Sequence, residues 1–214
     1  MADPAHDGPA MNRIIHQAIR RDLGRFDAAL ARFSPGERAK AEGLAQMFER
    51  FHTQLTYHHE GEERRLWPLL RGKPEDTAEV ERFTGEHEDI ASALTSARQA
   101  FDRLPATDGG DEAAVARRAT NALLETASSH FEHEEREMDE LCAHADPEAL
   151  GKAQRQFGRD AGFTESMWFL QWVADDATPE QVSFLRRLIP PPAHAMSRLL
   201  AGGRYAKAKR VAWA

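Results

Sequence analysis

The chain has 214 residues, 41% hydrophobic and 29% charged, with a formal net charge of −7. That is the composition of a soluble globular protein with enough length for a proper core. The acidic balance argues against a general nucleic-acid binder, no stretch has the apolar length of a membrane span, and the single Cys142 excludes an internal disulfide and fits a reducing compartment. Met1 to Met11 has no apolar run resembling a signal peptide, so a cytoplasmic location is expected.

Sparse β-branched residues and abundant Ala, Leu, Arg and Glu favour helix. Punctuation predicts four long helices: Met11 to Phe33, Pro35 to Arg71, Pro74 to Leu104 and Asp111 to Ala145. Ser34-Pro35-Gly36-Glu37 reads as a capping box with Pro at the first helical position. Gly72-Lys73-Pro74 is a break, and Pro105 to Gly110 is a loop rich in turn formers. Short connections make successive helices antiparallel neighbours. The expected fold is all-α: an up-down-up-down four-helix bundle over 11–145 with a helical C-terminal extension over 146–214.

Each predicted helix has an apolar stripe at spacings of three and four. The stripes are His16, Ile19, Leu23, Phe26, Leu30, Phe33; then Phe48, Phe51, Leu55, His58, Glu62, Leu66, Leu69; then Val80, Phe83, His87, Ile90, Leu94, Ala97, Phe101, Leu104; then Leu123, Ala127, His130, Glu134, Met138, Leu141. A histidine stands in every stripe, and in two of them a glutamate follows one turn later on the same face. A buried carboxylate without a partner or a metal is very costly. The register brings these residues to one level. Counted from the break at residue 73, Glu62 and His58 lie 11 and 15 positions before it and His87 14 after. Counted from Asp108, His87 lies 21 before and His130 22 after. The first helix fits less well: from Pro35, His16 is 19 before and His58 23 after, a mismatch of about 6 Å in helix rise.

This ligand set exceeds what one tetrahedral zinc needs. Mixed imidazole and carboxylate suits iron or manganese, and two carboxylates can bridge two ions. The order is His58-x-x-x-Glu62 and His130-x-x-x-Glu134, the reverse of the Glu-x-x-His of ferritin-like di-iron proteins. With Ile15-His16-Gln17 and Glu86-His87-Glu88, the set resembles the hemerythrin-like family, the HHE cation-binding domain, over about Met11 to Ala145. The resemblance implies an oxo- or hydroxo-bridged pair of iron ions, with an open position for a small diatomic ligand or peroxide. It makes His16, His58, His87 and His130 terminal ligands and Glu62 and Glu134 bridges. Oxygen-carrying hemerythrins have two histidines four apart on the third helix, where this chain has Phe83 and Ala91 around His87. They also have an aspartate five residues after the fourth helix's histidine, where this chain has Glu134 at four. One imidazole fewer argues against reversible oxygen carriage. His59 is a further candidate: it either fills that vacancy or stands outside the ligand set, since it is rotated by about 100° from His58. His133 and Glu63 read as supporting or solvated residues, His6, His52 and His144 as surface, and Trp67-Pro68 as a helix end that plugs the bundle.

In the extension, Asp146-Pro147 and Thr178-Pro179-Glu180-Gln181 are helix starts, and Pro190-Pro191-Pro192 precedes a short helix around Ala193 to Leu200. Met167, Trp168, Phe169, Leu170, Trp172 and Val173 are too apolar to stay exposed. They form a cap packed across the bundle, a homodimer surface, or a lid over an access channel. His194 reads as structural. Two function classes stand: a binder or sensor of oxygen, nitric oxide or iron, acting in redox or iron homeostasis, and a di-iron enzyme with catalase, peroxidase or nitric oxide reductase activity. A helical partner-binding module leaves the buried carboxylates unexplained.

Overall fold

Proline and glycine set most helix limits, because one removes a backbone donor and the other frees the chain to turn. The computed structural model describes residues 4–107 and 109–213, apart from the side chains of residues 4, 5 and 158. Residues 1–3 of the N-terminal stretch and Asp108 of the 105–110 loop lie outside the described residues. Helices α1 (Pro4–Ala31), α2 (Arg38–Gly61), α3 (Trp67–Leu70), α4 (Pro74–Arg103) and α5 (Gly110–His144) form the bundle, with one π-helical turn, Glu62–Leu66, joining α2 to α3. Helix α1 begins at Pro4 rather than Met11. Helix α2 begins at Arg38 rather than Pro35, because Gly36 takes a positive φ of 89° and turns the chain outward. Only half of the expected capping box forms, the Ser34 N–H donating to Glu37 at 2.7 Å. Before α5, Gly109 has φ 83°, and a Cβ there would meet the Phe33 ring at 2.7 Å.

The π turn corrects the predicted second stripe. It inserts one extra residue per turn, so the inward face shifts from Leu66 and Leu69 to Trp67 and Leu70, which are buried while the former are half-buried. Trp67 therefore plugs the bundle without ending the helix, which runs on to Leu70.

Ion pairs mark the antiparallel order. Asp27 of α1 holds Arg117 of α5 at 2.7 Å, and Glu49 of α2 holds Arg98 of α4 at 3.0 Å. Such exposed pairs contribute at most about 1 kcal/mol each, so the apolar interior carries the fold. Phe48 stacks on Phe101 at 4.1 Å, and Phe26 meets both rings edge-on. Among the described residues no helix is long and apolar enough to cross a membrane.

The extension comprises α6 (Pro147–Asp160), α7 (Gly162–Ala174), α8 (Pro179–Leu188), α9 (Pro191–Ser197), a π turn (Arg198–Gly202) and α10 (Gly203–Ala212). The Asp146 carboxylate caps α6, and Thr178 and Gln181 form a reciprocal box at α8. Of these, α6, α7 and α10 lie along the seam between α1 and α2, the most loosely joined neighbours of the bundle. From α7, the Trp172 indole donates to the buried Asp22 of α1 at 2.8 Å, and Arg50 of α2 lies over Trp168. From α10, Val211 packs on Gly43 of α2, while Trp213 meets Phe26 at 4.8 Å. Trp168, Trp172, Val173, Leu185 and Tyr205 belong to the same apolar cluster as the bundle interior.

This shared core predicts that Trp172→Ala destabilises the whole chain by about 3–5 kcal/mol in a single cooperative unfolding transition. Trp172→Phe costs about 1–3 kcal/mol, because Asp22 stays buried with one donor fewer. Denaturant unfolding followed by far-ultraviolet circular dichroism checks both; an unaltered bundle transition would show that the extension adds nothing to its stability.

Candidate metal centre

His16 comes from α1, His58 and His59 from the last turn of α2, Glu62 from the π turn, His87 from α4, and His130 and Glu134 from α5. All seven are buried, His59 being the most exposed at 7%. They fall into two groups, His16–His58–Glu62–Glu134 and His59–His87–His130, in each of which the ligand atoms lie within 4.8 Å of one another. His58 and His59 point about 100° apart on the helix, so adjacent residues serve different groups. The His59 ring stacks on His87 at 3.8 Å. The structure thus brings His59, from α2, into one group with His87 and His130. The register mismatch of His16 is absorbed between α1 and α2, for His16 and His58 meet directly.

Three of the histidines are held from behind by carboxylates. His16 Nδ1 donates to Glu135 at 2.9 Å, His87 Nδ1 to Glu63 at 3.0 Å, and His130 Nδ1 to Glu86 at 2.7 Å. Glu135 also accepts from Arg20, and Glu86 from His133 Nδ1. A proton on Nδ1 leaves the inward Nε2 with a lone pair, the form that ligates metal. His16 Nε2 and His58 Nε2 stand 3.0 Å apart, where a proton on either can bridge them; His87 Nε2 and His130 Nε2 also stand 3.0 Å apart, and there both Nδ1 protons are already committed to carboxylates. Facing lone pairs at that distance repel unless positive charge lies between them. Both oxygens of Glu62, Oε2 of Glu134, Nδ1 of His58 and Nε2 of His59 are buried without hydrogen-bond partners. These orphaned atoms fit a cation site, since buried polar groups otherwise find partners.

The carboxylates also connect the groups. Glu62 Oε1 lies 3.6 Å from His58 Nδ1 and its Oε2 3.7 Å from His87 Nε2. Glu134 Oε2 lies 3.2 Å from His16 Nε2 and 3.5 Å from His130 Nε2. Glu134 Oε1 accepts from Asn12 Nδ2 at 2.9 Å.

Burial pushes the pKa of His58 and His59 well below the ordinary value, that of His87 down to about 3, and that of His130 down as well. At His16 burial opposes the charge, but Glu134 and Glu135 outweigh it and raise the pKa. Burial and the nearby Glu134 raise Glu62 well above the carboxylate range. For Glu134 burial acts upward, and the hydrogen bond and charge of His16 hold it below that range. Four of the five imidazoles are thereby biased to the neutral form, His16 is biased to the charged form, and Glu62 is biased against ionising beside Glu134.

Trp67, Phe83 and Met138 wall the centre on one side, with Trp67 4.4 Å from the His87 ring, and Phe131 stacks on His16 at 3.9 Å on the other. His133 is half-buried between Glu86 and Glu79. His6 and His144 are exposed as expected; His52 is half-buried, correcting its surface reading, and burial lowers its pKa. Sequence reasoning passed over Asn12, Glu86 and Glu135. The signal for the two acids was present, because each stands next to a stripe residue, His87 or Glu134.

A family model described as the hemerythrin HHE cation binding domain matches residues 13–142. No curated protein and no solved structure matches the chain. A match over more than half of the chain, with a buried histidine–glutamate cluster drawn from α1, α2, α4, α5 and the π turn, means that the chain belongs to the hemerythrin HHE cation-binding domain family.

Proposed function

We propose that the chain holds two iron ions, one at each group, bridged by Glu62 and Glu134, and that it binds or reacts with oxygen, nitric oxide or peroxide in sensing or in redox and iron homeostasis. The observation that supports this best is that each carboxylate reaches nitrogens of both groups. Bound iron supplies one-electron chemistry and positions for a small ligand. The chain's residues do the rest: the imidazoles ligate in neutral form, Glu63, Glu86 and Glu135 fix their ring orientation, and Trp67, Phe83, Met138 and Phe131 keep bulk water out. With His59 in the second group the imidazole count there is three, so a missing histidine no longer argues against oxygen carriage.

Protein from iron-supplied cells is expected to contain about two irons per chain, which elemental analysis checks; no metal, or a single zinc, would overturn the reading. Glu62→Ala and Glu134→Ala lose most of it. Glu63→Ala, Glu86→Ala and Glu135→Ala weaken affinity by about 10–100-fold, and the exposed Glu60→Ala leaves it unchanged.

His59→Ala is expected to empty the second group selectively, lowering iron towards one per chain and changing the visible spectrum. Full iron content with an unchanged spectrum would make His59 a bystander.

The metal-free chain loses stability as pH falls. Below the ordinary histidine value of 6.5 the unfolded chain takes up protons that folded His58, His59, His87 and His130 refuse; for His87 the window runs from 6.5 down to about 3. Glu62 and His16, with raised pKa values, act in the opposite sense, against the four depressed imidazoles and Glu134, whose lowered pKa adds to the loss. The melting temperature of the metal-free protein should drop steadily from pH 6.5 downward; a flat profile would contradict the buried neutral imidazoles.

A further inference from the structure

Three corners of the bundle are sealed by large apolar side chains one turn beyond the centre. Helix α3 supplies Trp67 and Leu70, α4 supplies Val80 and Phe83, and α5 supplies Met138 and Leu141, all buried. The α1 corner differs. One turn before His16 stands Asn12, and a further turn back stand Gly8 and Pro9. Asn12 is half-buried and its amide donates to Glu134 Oε1 at 2.9 Å, so a polar side chain reaches from this corner into the centre.

What covers this corner comes from α6. A Cβ on Gly61, the residue before Glu62, would lie 2.3 Å from the Phe157 ring, and a Cβ on Gly8 would lie 2.4 Å from the Gln154 amide. Two glycines on facing helices therefore let Phe157 and Gln154 settle into the α1–α2 seam beside the first group. Both side chains are half-buried, in touch with the seam below and with solvent above. The end of α6 is fastened to the π turn through an ion pair of the partly exposed Arg65 and Asp160 at 2.8 Å, a weak tie.

We propose that the α1–α2 seam at Asn12 is the route by which small ligands and metal ions reach the centre, with Phe157 and Gln154 of the extension as its gate and the size of Phe157 as the determinant of what passes. This rests on the metal-centre reading. The gate is shut in the structure, so passage requires Phe157 to swing off Gly61. Asn12, whose amide donates to Glu134 Oε1, is the polar group that an incoming ligand meets first.

The test compares iron-loaded wild type with Phe157→Ala, Phe157→Trp, Gly61→Ala and, as a control on the exposed face of the extension, Phe163→Ala. The measurements are iron content, the rate of the azide-induced absorption change of the oxidised protein, and the rate of iron loss from the reduced protein to a ferrous chelator. Phe157→Ala should retain its iron and accelerate both rates roughly tenfold or more, as expected when opening limits access. Gly61→Ala, which displaces the ring without removing it, should accelerate them as well; Phe157→Trp should slow them, and Phe163→Ala should match wild type. Full iron content with wild-type rates in both Phe157→Ala and Gly61→Ala would overturn the gate and leave the metal centre standing. A wild type that takes up no metal would overturn both.

Discussion

Seven histidine and glutamate side chains meet inside an apolar bundle, and their electrostatic compensation is the constraint on which the rest of the structure depends. Water is excluded, so every charge and lone pair must be answered by a neighbour. The outer faces of three imidazoles are answered by Glu135, Glu63 and Glu86. The inner faces are answered only in part: the His87 and His130 lone pairs oppose one another, and both Glu62 oxygens are orphaned. A bundle stabilised by its phenylalanine core can hold such an arrangement, and bound cations would turn it from a cost into a source of stability.

The π turn is the local device that makes the two-group arrangement work. A helix presents one residue to the core per turn and a half-turned neighbour beside it. At the end of α2 this places His58 toward α1 and His59 toward α4. The π turn then sets Glu62 between them and rotates Trp67 inward over His87. A regular helix would have presented Leu66 there. π turns recur at functional sites because an extra residue re-aims the side chains that follow it.

The extension answers a weakness in the bundle itself. Helix α5 packs closely on both α1 and α4, while α1 and α2 scarcely touch along their length. Helices α7 and α10 fill that seam with Trp168, Trp172, Tyr205 and Trp213, anchored by Asp22, which also binds Arg21 and Arg25, and by Asp175, which gathers Arg25, Tyr205 and Lys209. The ligand end of the seam is closed instead by α6, where glycines on the bundle allow close approach. The same surface therefore joins stability along most of its length to access at one end.

The sequence by itself determined the helices, their antiparallel order and six of the grouped side chains, because a 3.6-residue period makes burial readable and a charged residue inside that period is conspicuous. His16, His58, Glu62, His87, His130 and Glu134 all stand in stripes. His59 stood one residue off a stripe, and only the tertiary structure decided where it points, since that depends on which helix lies on each flank of α2. The π turn was equally hidden: Glu62 to Leu66 carries no composition that marks it, and its neighbour outside its own helix is α6, far along the chain. Glu86 and Glu135 look like solvated acids until the helices across from them place an imidazole nitrogen within hydrogen-bond reach. The division of seven residues into two groups, like the closing of the α1–α2 seam by Phe157, arises from distances between segments far apart in the chain, which local periodicity does not encode.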